Sequence, residues 1–197
     1  MVLGLAEPTQ LDVERQRQEA ALLARALGGD HVAFERLVRP HMSVMRRVAM
    51  RACGEAALAE DAVQEALVIA HDRLSGYTAG TRLSAWLAAI VSRRAATLAR
   101  GRWRRLAREQ RAASHGAQPA TPEQLVRGRR AAQRVQRALA ALPEKRRRAA
   151  VLRFDGGLSY AEIGEALGSS EASCRVLVYL AVKALKAELS DLLKETE

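Results

Sequence analysis

The amino-acid sequence predicts an all-α protein made of two small helical domains joined by a flexible linker. Apolar residues make up 49% of the 197 residues but aromatic residues only 4%, a balance that favours helices packed through aliphatic faces over a β-sandwich or barrel. Apolar residues recur at helical spacing along most of the chain. The exception is residues 112–123, AASHGAQPATPE, where two prolines and a glycine stand and no periodicity survives.

The first helical domain is predicted over residues 19–106, after a polar tail at 1–18. Its first helical run is broken at Gly28, Gly29 and Asp30, and a loop, GYTAGT, precedes its last helix. The predicted helical runs are 19–51 with that break, 56–74, and 83 to about 106.

The linker is predicted over residues 107–127 and the second domain over 128–197. Helical patterning continues through Ala141, and Pro143 is placed in the first turn of the next helix, where a missing N–H is tolerated. That helix is predicted to end at Phe154, which leaves a short segment before the last helical run.

The short segment, GLSYAEIGEALGSS, has the signature of a two-turn helix with defined ends. Ser159 and Glu162 fit a capping box at its start, and Gly168 stands where a left-handed residue ends a helix. Ser169 or Ser170 can cap the following helix, EASCRVLVYLAVKALKAEL. Two helices joined so closely cross at a steep angle, which is typical of a helix-turn-helix.

A helix-turn-helix needs a small residue where its helices touch, a glycine in the turn and an apolar residue on the second helix. Gly164, Gly168 and Cys174 supply these at intervals of four and six residues. The second helix would then lie in the DNA major groove; an ordinary helical hairpin is the alternative. The groove-facing positions of this helix are predicted to be Ser170, Glu171, Ala172, Arg175, Val176 and Tyr179.

The charge of the chain predicts a polyanionic partner, because the formal net charge is +10 and the pI is about 10.7. A soluble arginine-rich protein from a high-GC genome is the alternative explanation. In the second domain, phosphate affinity is predicted to come from a basic run and its neighbour: Lys145, Arg146, Arg147, Arg148 and Arg153.

A second basic segment, residues 93–111, places eight arginines around Trp103. Base stacking on aromatic rings together with phosphate pairing is what binding to single-stranded or melted DNA requires. The segment therefore predicts contact with opened DNA, and a solvated basic face is the alternative.

Several other classes are excluded by the residues present. Cys53 and Cys174 are far apart and lack a CxxC companion, so they predict neither a zinc site nor a disulfide framework and suit a reducing cytoplasm. The four histidines show no ligand spacing, and no phosphate loop or GxSxG turn occurs. No apolar stretch approaches membrane-spanning length. We therefore predict a cytoplasmic protein that is not an enzyme, holds no metal or cofactor and does not bind a membrane.

The order of these features resembles the extracytoplasmic-function (ECF) sigma factors of bacterial RNA polymerase. The resemblance covers roughly residues 20–106 (sigma region 2) and 128–190 (region 4). It implies a factor that binds core polymerase, recognises and melts promoter DNA, and is controlled by an anti-sigma factor. The segments that carry it are AEDAVQEAL (59–67), YTAGTRLSAWLAAIVSRRA (77–95) and LPEKRRRAAVLRFDGGLSYAEIGEALG (142–168).

The resemblance also implies a role for each matching position. The core enzyme, through the clamp helices of its largest subunit and its flap, is the first partner, and the DxxQE segment assigns clamp contacts to Asp61, Gln64 and Glu65. At the minus-ten element, where the duplex opens and a base is flipped, the implied contacts are Tyr77, Thr81, Arg82, Ser84, Trp86, Arg93, Arg94, Thr97, Arg100, Arg102 and Trp103. At the minus-thirty-five element they are Arg146, Arg147, Ser170, Glu171, Ala172, Arg175, Val176 and Tyr179.

Two positions of the first domain and the last helix depart from the family pattern. The family usually has an asparagine and an aspartate where this chain has Arg93 and Thr97. Its recognition helix usually carries a threonine–valine–lysine–serine–arginine run and a further arginine, and three of these polar or basic contacts are apolar here. The corresponding residues are Ser173, Cys174, Arg175, Val176, Leu177 and Leu180. This change suggests an atypical promoter, or a protein partner or second copy of the chain for this helix.

Two further alternatives remain open from the sequence. Trp86 shares a helical register with Leu83, Leu87 and Ile90, which favours a position in the core over a stacking surface. The whole chain can also be interpreted as a helix-turn-helix regulator that binds DNA without engaging polymerase.

Overall fold

The computed structural model describes residues 10–77, 82–112 and 133–190, which form helices joined by turns, without any strand in those ranges. Within these ranges, no helix combines the length and the apolar character that a transmembrane span needs. The α-helices are α1 (Gln10–Leu27), α2 (His31–Val38), α3 (Met42–Cys53), α4 (Ala56–Asp72), α5 (Leu83–Ala112), α6 (133–141), α7 (Glu144–Phe154), α8 (Tyr160–Leu167) and α9 (Glu171–Glu188). Short 3-10 turns occupy Arg39–His41 and Leu74–Gly76.

The first helical group contains α1 to α5. Helices α3, α4 and α5 pack on one another, and α1 packs on α2. The contact face of α4 is built from small and branched side chains, with Ala62, Val63 and Ala66 fully buried. The predicted break after α1 is present, and Asp30 caps α2 because its Oδ1 accepts a hydrogen bond from the Ala33 N–H at 2.9 Å.

Two helix ends in this group differ from the sequence expectation. Helix α1 begins at Gln10, ahead of residue 19, and α5 continues to Ala112, past Leu106. Both extensions are polar and lack a strong apolar stripe, so periodicity did not indicate them. They consist largely of glutamine, glutamate, arginine, alanine and leucine, which favour helix through intrinsic propensity.

The second helical group contains α6 to α9. Helices α7 and α8 both pack on α9 and on each other, and the side chains of Leu152, Leu158 and Ile163 are fully buried. Pro143 is the residue before the first turn of α7, in an extended conformation, one position earlier than predicted. A smaller apolar cluster holds α6, α7 and α9 together through Leu139, Leu142, Ala150, Ala181 and Leu185.

The two groups pack against each other, an arrangement that the sequence left open. Helix α5 contacts α7 and α8, and α3 contacts α7. Buried residues of both groups form one continuous apolar cluster. Hydrogen bonds and ion pairs surround it: Arg148 Nε donates to Ser92 Oγ at 3.3 Å, and Arg51 Nε lies 3.2 Å from Asp155 Oδ1. The protein is therefore all-α, with two helical regions held in a closed arrangement.

Candidate nucleic-acid and polymerase interfaces

The short helix α8 has the ends that the sequence predicts. Ser159 Oγ accepts a hydrogen bond from the Glu162 N–H at 3.2 Å, and Glu162 Oε2 accepts one from the Ser159 N–H at 2.7 Å. This reciprocal pair is a capping box. At the other end Gly168 has φ +59°, the left-handed conformation that stops a helix.

The turn between α8 and α9 brings the two helices into backbone contact. A Cβ on Gly164 would stand 2.6 Å from the carbonyl oxygen of Ser169, so glycine is the residue that allows this approach. Ser170 caps α9 by accepting a hydrogen bond from the Ser173 N–H at 3.2 Å. Cys174 is fully buried, and burial raises the pKa of its thiol. Gly164 therefore lies at the close approach, Gly168 at the left-handed turn and Cys174 on the buried side of α9.

The predicted groove-facing positions of α9 are all exposed, from Ser170 to Tyr179. Arg175, the one basic side chain among them, donates from Nη2 to Glu171 Oε1 at 2.6 Å and lies 5.0 Å from the centre of the Tyr160 ring. Arg153 stacks on the same ring at 4.8 Å. No sequence pattern indicated that Tyr160 would hold two of the predicted DNA-binding cations.

The basic run before α8 is more buried than its composition suggests. Of its five predicted phosphate contacts, Lys145 is the exposed one, and its Nζ lies 3.2 Å from Ser169 Oγ in the turn. Arg147 is half-buried and donates to the carbonyl of Ala140 at 3.1 Å. Burial lowers the pKa of the Arg147 guanidinium, and likewise that of Arg148. Arg146 is also half-buried.

The DxxQE segment forms a polar face on α4. Asp61 and Gln64 are exposed, whereas Glu65 is half-buried and forms an ion pair with Arg94 of α5. Val68, one turn beyond Gln64, continues this face and is 62% exposed. The predicted polymerase face and the predicted minus-ten surface are therefore in direct contact through Glu65 and Arg94.

The start of α5 brings several predicted minus-ten residues together. The rings of Tyr77 and Trp86 lie 5.4 Å apart, Trp86 packs against the core, and the Tyr77 hydroxyl donates to Glu19 Oε1 at 3.4 Å. Ser84 is half-buried. Thr81 and the side chain of Trp103 lie outside the described residues.

Further along α5, exposed polar side chains follow one another along the helix, and several of them already have partners. Arg93 and Thr97 are exposed, and Thr97 Oγ1 donates to the Arg93 carbonyl at 3.1 Å. Arg102 forms an ion pair with Glu55 of the first helical group.

A groove of about 740 Å³ is lined by the first half of α5 and by Glu162, Glu165 and Ala166 of α8. Arg82 crosses it: Nε lies 2.8 Å from Glu162 Oε1, and Nη2 donates to the Gly157 carbonyl at 3.1 Å. Arg100 forms an ion pair with Glu144 at the start of α7. Two arginines assigned to DNA are thus bound to acids of the second helical group. The capping-box pattern identified Glu162 as a helix cap, but no sequence pattern indicated this second role.

An exposed recognition helix on one group and an arginine-lined long helix on the other define a DNA-binding transcription factor. Family models agree: the model for Sigma-70 region 2 matches residues 37–105, and that for Sigma-70, region 4 matches residues 132–185. The chain is 32% identical over 164 residues to the ECF RNA polymerase sigma factor SigM of Mycobacterium tuberculosis (strain ATCC 25618 / H37Rv), which covers 81% of this chain and 79% of the relative. SigE of Mycolicibacterium smegmatis (strain ATCC 700084 / mc(2)155) is 32% identical over 173 residues, covering 85% and 67%.

Solved structures show the same fold. CnrH, in complex with the cytosolic domain of CnrY, matches with a TM-score of 0.65 and 25% identity over 88% of this chain and 98% of that one. The sigma factor RpoE from Bartonella quintana, in complex with the anti-sigma factor NepR, matches with a TM-score of 0.58 and 23% identity over 80% and 96%. This chain belongs to the ECF sigma factors of RNA polymerase, and it acts in promoter recognition and transcription initiation.

Proposed function

We propose that the exposed face of α4 is the surface through which this sigma factor binds core polymerase. Asp61 and Gln64 project into solvent about one turn apart, beside the exposed Val68. An exposed polar face beside an exposed valine suits a wet protein interface with an apolar centre. Glu65 is paired with Arg94 in the free protein. It joins the polymerase contact when a group of the polymerase replaces Arg94 as its partner. The clamp helices of the largest subunit are the expected site on the core for this face, and the flap is a further expected contact of the factor with the core.

The start of α5 and its arginines are the proposed minus-ten surface. The supporting observation is that Arg82 and Arg100 already hold carboxylates, Glu162 and Glu144, that belong to the second helical group. Guanidinium groups bind carboxylate and phosphate with the same fork geometry. DNA phosphates can therefore replace these acids once the two groups separate. Helix α9, whose predicted groove-facing positions are already exposed, then enters the minus-thirty-five major groove.

The same proposal places the protein in the cytoplasm, where the chromosome and polymerase are, and gives it no catalytic step of its own. An anti-sigma partner is part of the proposal, supported by the family and by the solved RpoE complex with NepR. Such a partner would act by holding the α4 face or the minus-ten surface away from polymerase and DNA.

The test is co-purification with bare core polymerase, followed by run-off transcription on a genomic promoter library. Asp61→Lys with Glu65→Lys is expected to abolish co-purification, since two acids of the docking face become cations. Glu35→Lys is the control, because Glu35 is an exposed acid on a different helix, α2, and is paired with Arg39 as Glu65 is with Arg94. Equal loss in the control would point to a general effect of charge. Promoter binding without polymerase association would instead favour the regulator hypothesis.

A further inference from the structure

The outward side of α9 is an apolar stripe that ends in a cation. Cys174, Val178 and Ala181 face the core and are buried, so the opposite side of the helix is fixed by the 3.6-residue period. Val176 is 55% exposed there and Tyr179 64%. The outward positions, spaced by four, three and four residues, are Ala172, Val176, Tyr179 and Lys183.

Polar groups in the first two turns of α9 already have partners. Arg175 is bonded to Glu171 and stacked on Tyr160. Ser170 Oγ and Ser173 Oγ are 2.8 Å apart, and Ser170 Oγ also accepts from the Ser173 N–H. These are the turns that enter the major groove in a helix-turn-helix. Between these bonded side chains, the methyl groups of Ala172 and Val176 are exposed on the outward side of the helix.

The surroundings of this stripe fit DNA better than a protein surface. Lys145 of α7 is exposed, and its Nζ lies 3.2 Å from Ser169 Oγ in the turn that leads into α9. Lys183 and Lys186 are exposed farther along α9. Glu171, the acid in the first turn, is neutralised by Arg175. Cations at both ends of an apolar stripe can hold the two phosphate backbones that border a major groove.

We propose that α9 recognises thymine 5-methyl groups in the minus-thirty-five element, through Val176 and Ala172. This inference rests on the proposed function, which places α9 in that groove, and it adds the chemical group of the DNA that the helix contacts. The thymine methyl is the apolar feature of the major-groove edge, and small apolar side chains recognise it by contact. Side chains four residues apart on a helix stand about 6 Å from each other. Base pairs rise by about 3.4 Å, so the two methyl groups belong to thymines one or two steps apart.

The experiment removes single methyl groups from DNA. A promoter is first selected from a library randomised at the minus-thirty-five element, using the chain bound to core polymerase. Each thymine of the selected element is then replaced by deoxyuridine, which lacks only the 5-methyl group. We expect roughly fourfold weaker promoter binding at one or two of these positions, the effect of exposing one buried methyl. Deoxyuridine in the spacer is the control template and is expected to have no effect.

Val176→Ala should make binding insensitive to one of the deoxyuridine replacements, because the contact to that methyl is already missing. Val32→Ala is the matched control: Val32 is 56% exposed, on α2, and the same atoms are removed. It should retain the full deoxyuridine effect. Selection of a thymine-poor element, or transcription that is indifferent to every replacement, would overturn the methyl recognition and leave the sigma function standing. A chain that directs no transcription at all would overturn the function on which the proposal depends.

Discussion

Gly164 lies where the turn before α9 folds back onto α8, and its missing side chain allows this approach. A methyl group at this position would meet the Ser169 carbonyl oxygen at 2.6 Å, with the backbone of Ser170 and Glu171 just beyond. Backbone atoms of a tight turn cannot move aside as a flexible side chain can. The small residue is therefore required by the geometry of the turn and not by helix propensity.

Gly164→Ala is expected to destabilise the second helical group by about 1–3 kcal/mol, the usual effect of an added methyl in a tight contact. The measurement is the free energy of unfolding from denaturant titration. Gly101→Ala is the matched control. Gly101 is exposed in α5, and apart from its own helix backbone the described residues place no atom within 4 Å of an added methyl group. There the same substitution should stabilise by up to about 1 kcal/mol through helix propensity. Equal effects at both glycines would contradict this explanation.

His41 gives the free energy of unfolding a predictable dependence on pH. Burial lowers the pKa of its imidazole below the ordinary 6.5, and the carboxylate of Glu19 opposes that shift only in part. The folded chain thus prefers the neutral imidazole, and the unfolded chain binds a proton more readily. Stability is therefore lost as pH falls from about 6.5 towards the lower pKa of the folded state. His41→Gln should flatten that part of the curve; an unchanged slope would assign the dependence to other groups.

At the scale of elements, the contact between α5 and α7 depends on a polar group inside an apolar interface. Ser92 is 1% exposed, and its hydroxyl accepts a hydrogen bond from the half-buried Arg148 guanidinium. Burial lowers the pKa of Arg148 because the charged form loses water. The hydroxyl of Ser92 replaces part of that lost hydration.

Ser92→Ala is expected to lower the free energy of unfolding by about 1–2 kcal/mol, since it leaves a partly desolvated guanidinium without its acceptor. The same Ser92→Ala substitution should cost less free energy of unfolding when Arg148 has already been replaced by methionine, because no charge then lacks its acceptor. A double-mutant cycle from denaturant unfolding measures this coupling. Independent, additive effects would show that the hydrogen bond contributes nothing to the contact.

The elements differ in how far the sequence could predict them. Helix ends with a chemical signature were predictable, because Ser159, Glu162 and Gly168 each satisfy a local hydrogen-bonding or backbone requirement. The far end of α5 was not, since propensity alone carries it beyond the apolar pattern. Arg148 shows the other limit. Its place in a basic run indicated phosphate binding, but the partner that holds it, Ser92, lies 56 positions away in the sequence. Contacts between the two helical groups have no local signature of this kind.

For the whole molecule, the closed arrangement is too short to reach both promoter elements at once. The minus-ten and minus-thirty-five elements are about 25 base pairs apart, or about 85 Å at 3.4 Å per pair. A compact chain of this size has a radius of gyration of only about 16 Å. The 20 residues between α5 and the described start of α6 can span at most about 70 Å. The span of these 20 residues together with the widths of the two helical groups is enough to cover the distance between the two elements. This holds only if the two groups separate.

Holding the groups together should therefore block initiation. Arg51 and Asp155 face each other across the contact at 3.2 Å and are outside the proposed DNA-binding and polymerase-binding sets. We expect Arg51→Cys with Asp155→Cys, joined by a short cleavable thiol crosslinker, to lose run-off transcription and to regain it on reduction. The native thiols compete poorly for the reagent, because Cys53 and Cys174 are buried and burial raises the pKa of Cys53 to about 11.

The control for this prediction is a crosslink of the same kind inside one helical segment, Glu35→Cys with Arg39→Cys at the end of α2, where an ion pair of 2.6 Å already joins the two positions. It should leave transcription unchanged, since it does not connect the two groups. If the protein crosslinked between positions 51 and 155 initiated transcription as well as the reduced protein, the prediction would be wrong. The closed state would then have to reach both the minus-ten and the minus-thirty-five elements. The distance between them would then have to be shortened by bending of the DNA, which costs several kcal/mol over a site of this length. Separation of the two helical groups instead requires that contacts at their rim, such as Arg82 with Glu162, exchange carboxylates for phosphates. It also requires that the buried apolar face between α5 and α7 opens, at a free-energy cost that grows with the area exposed.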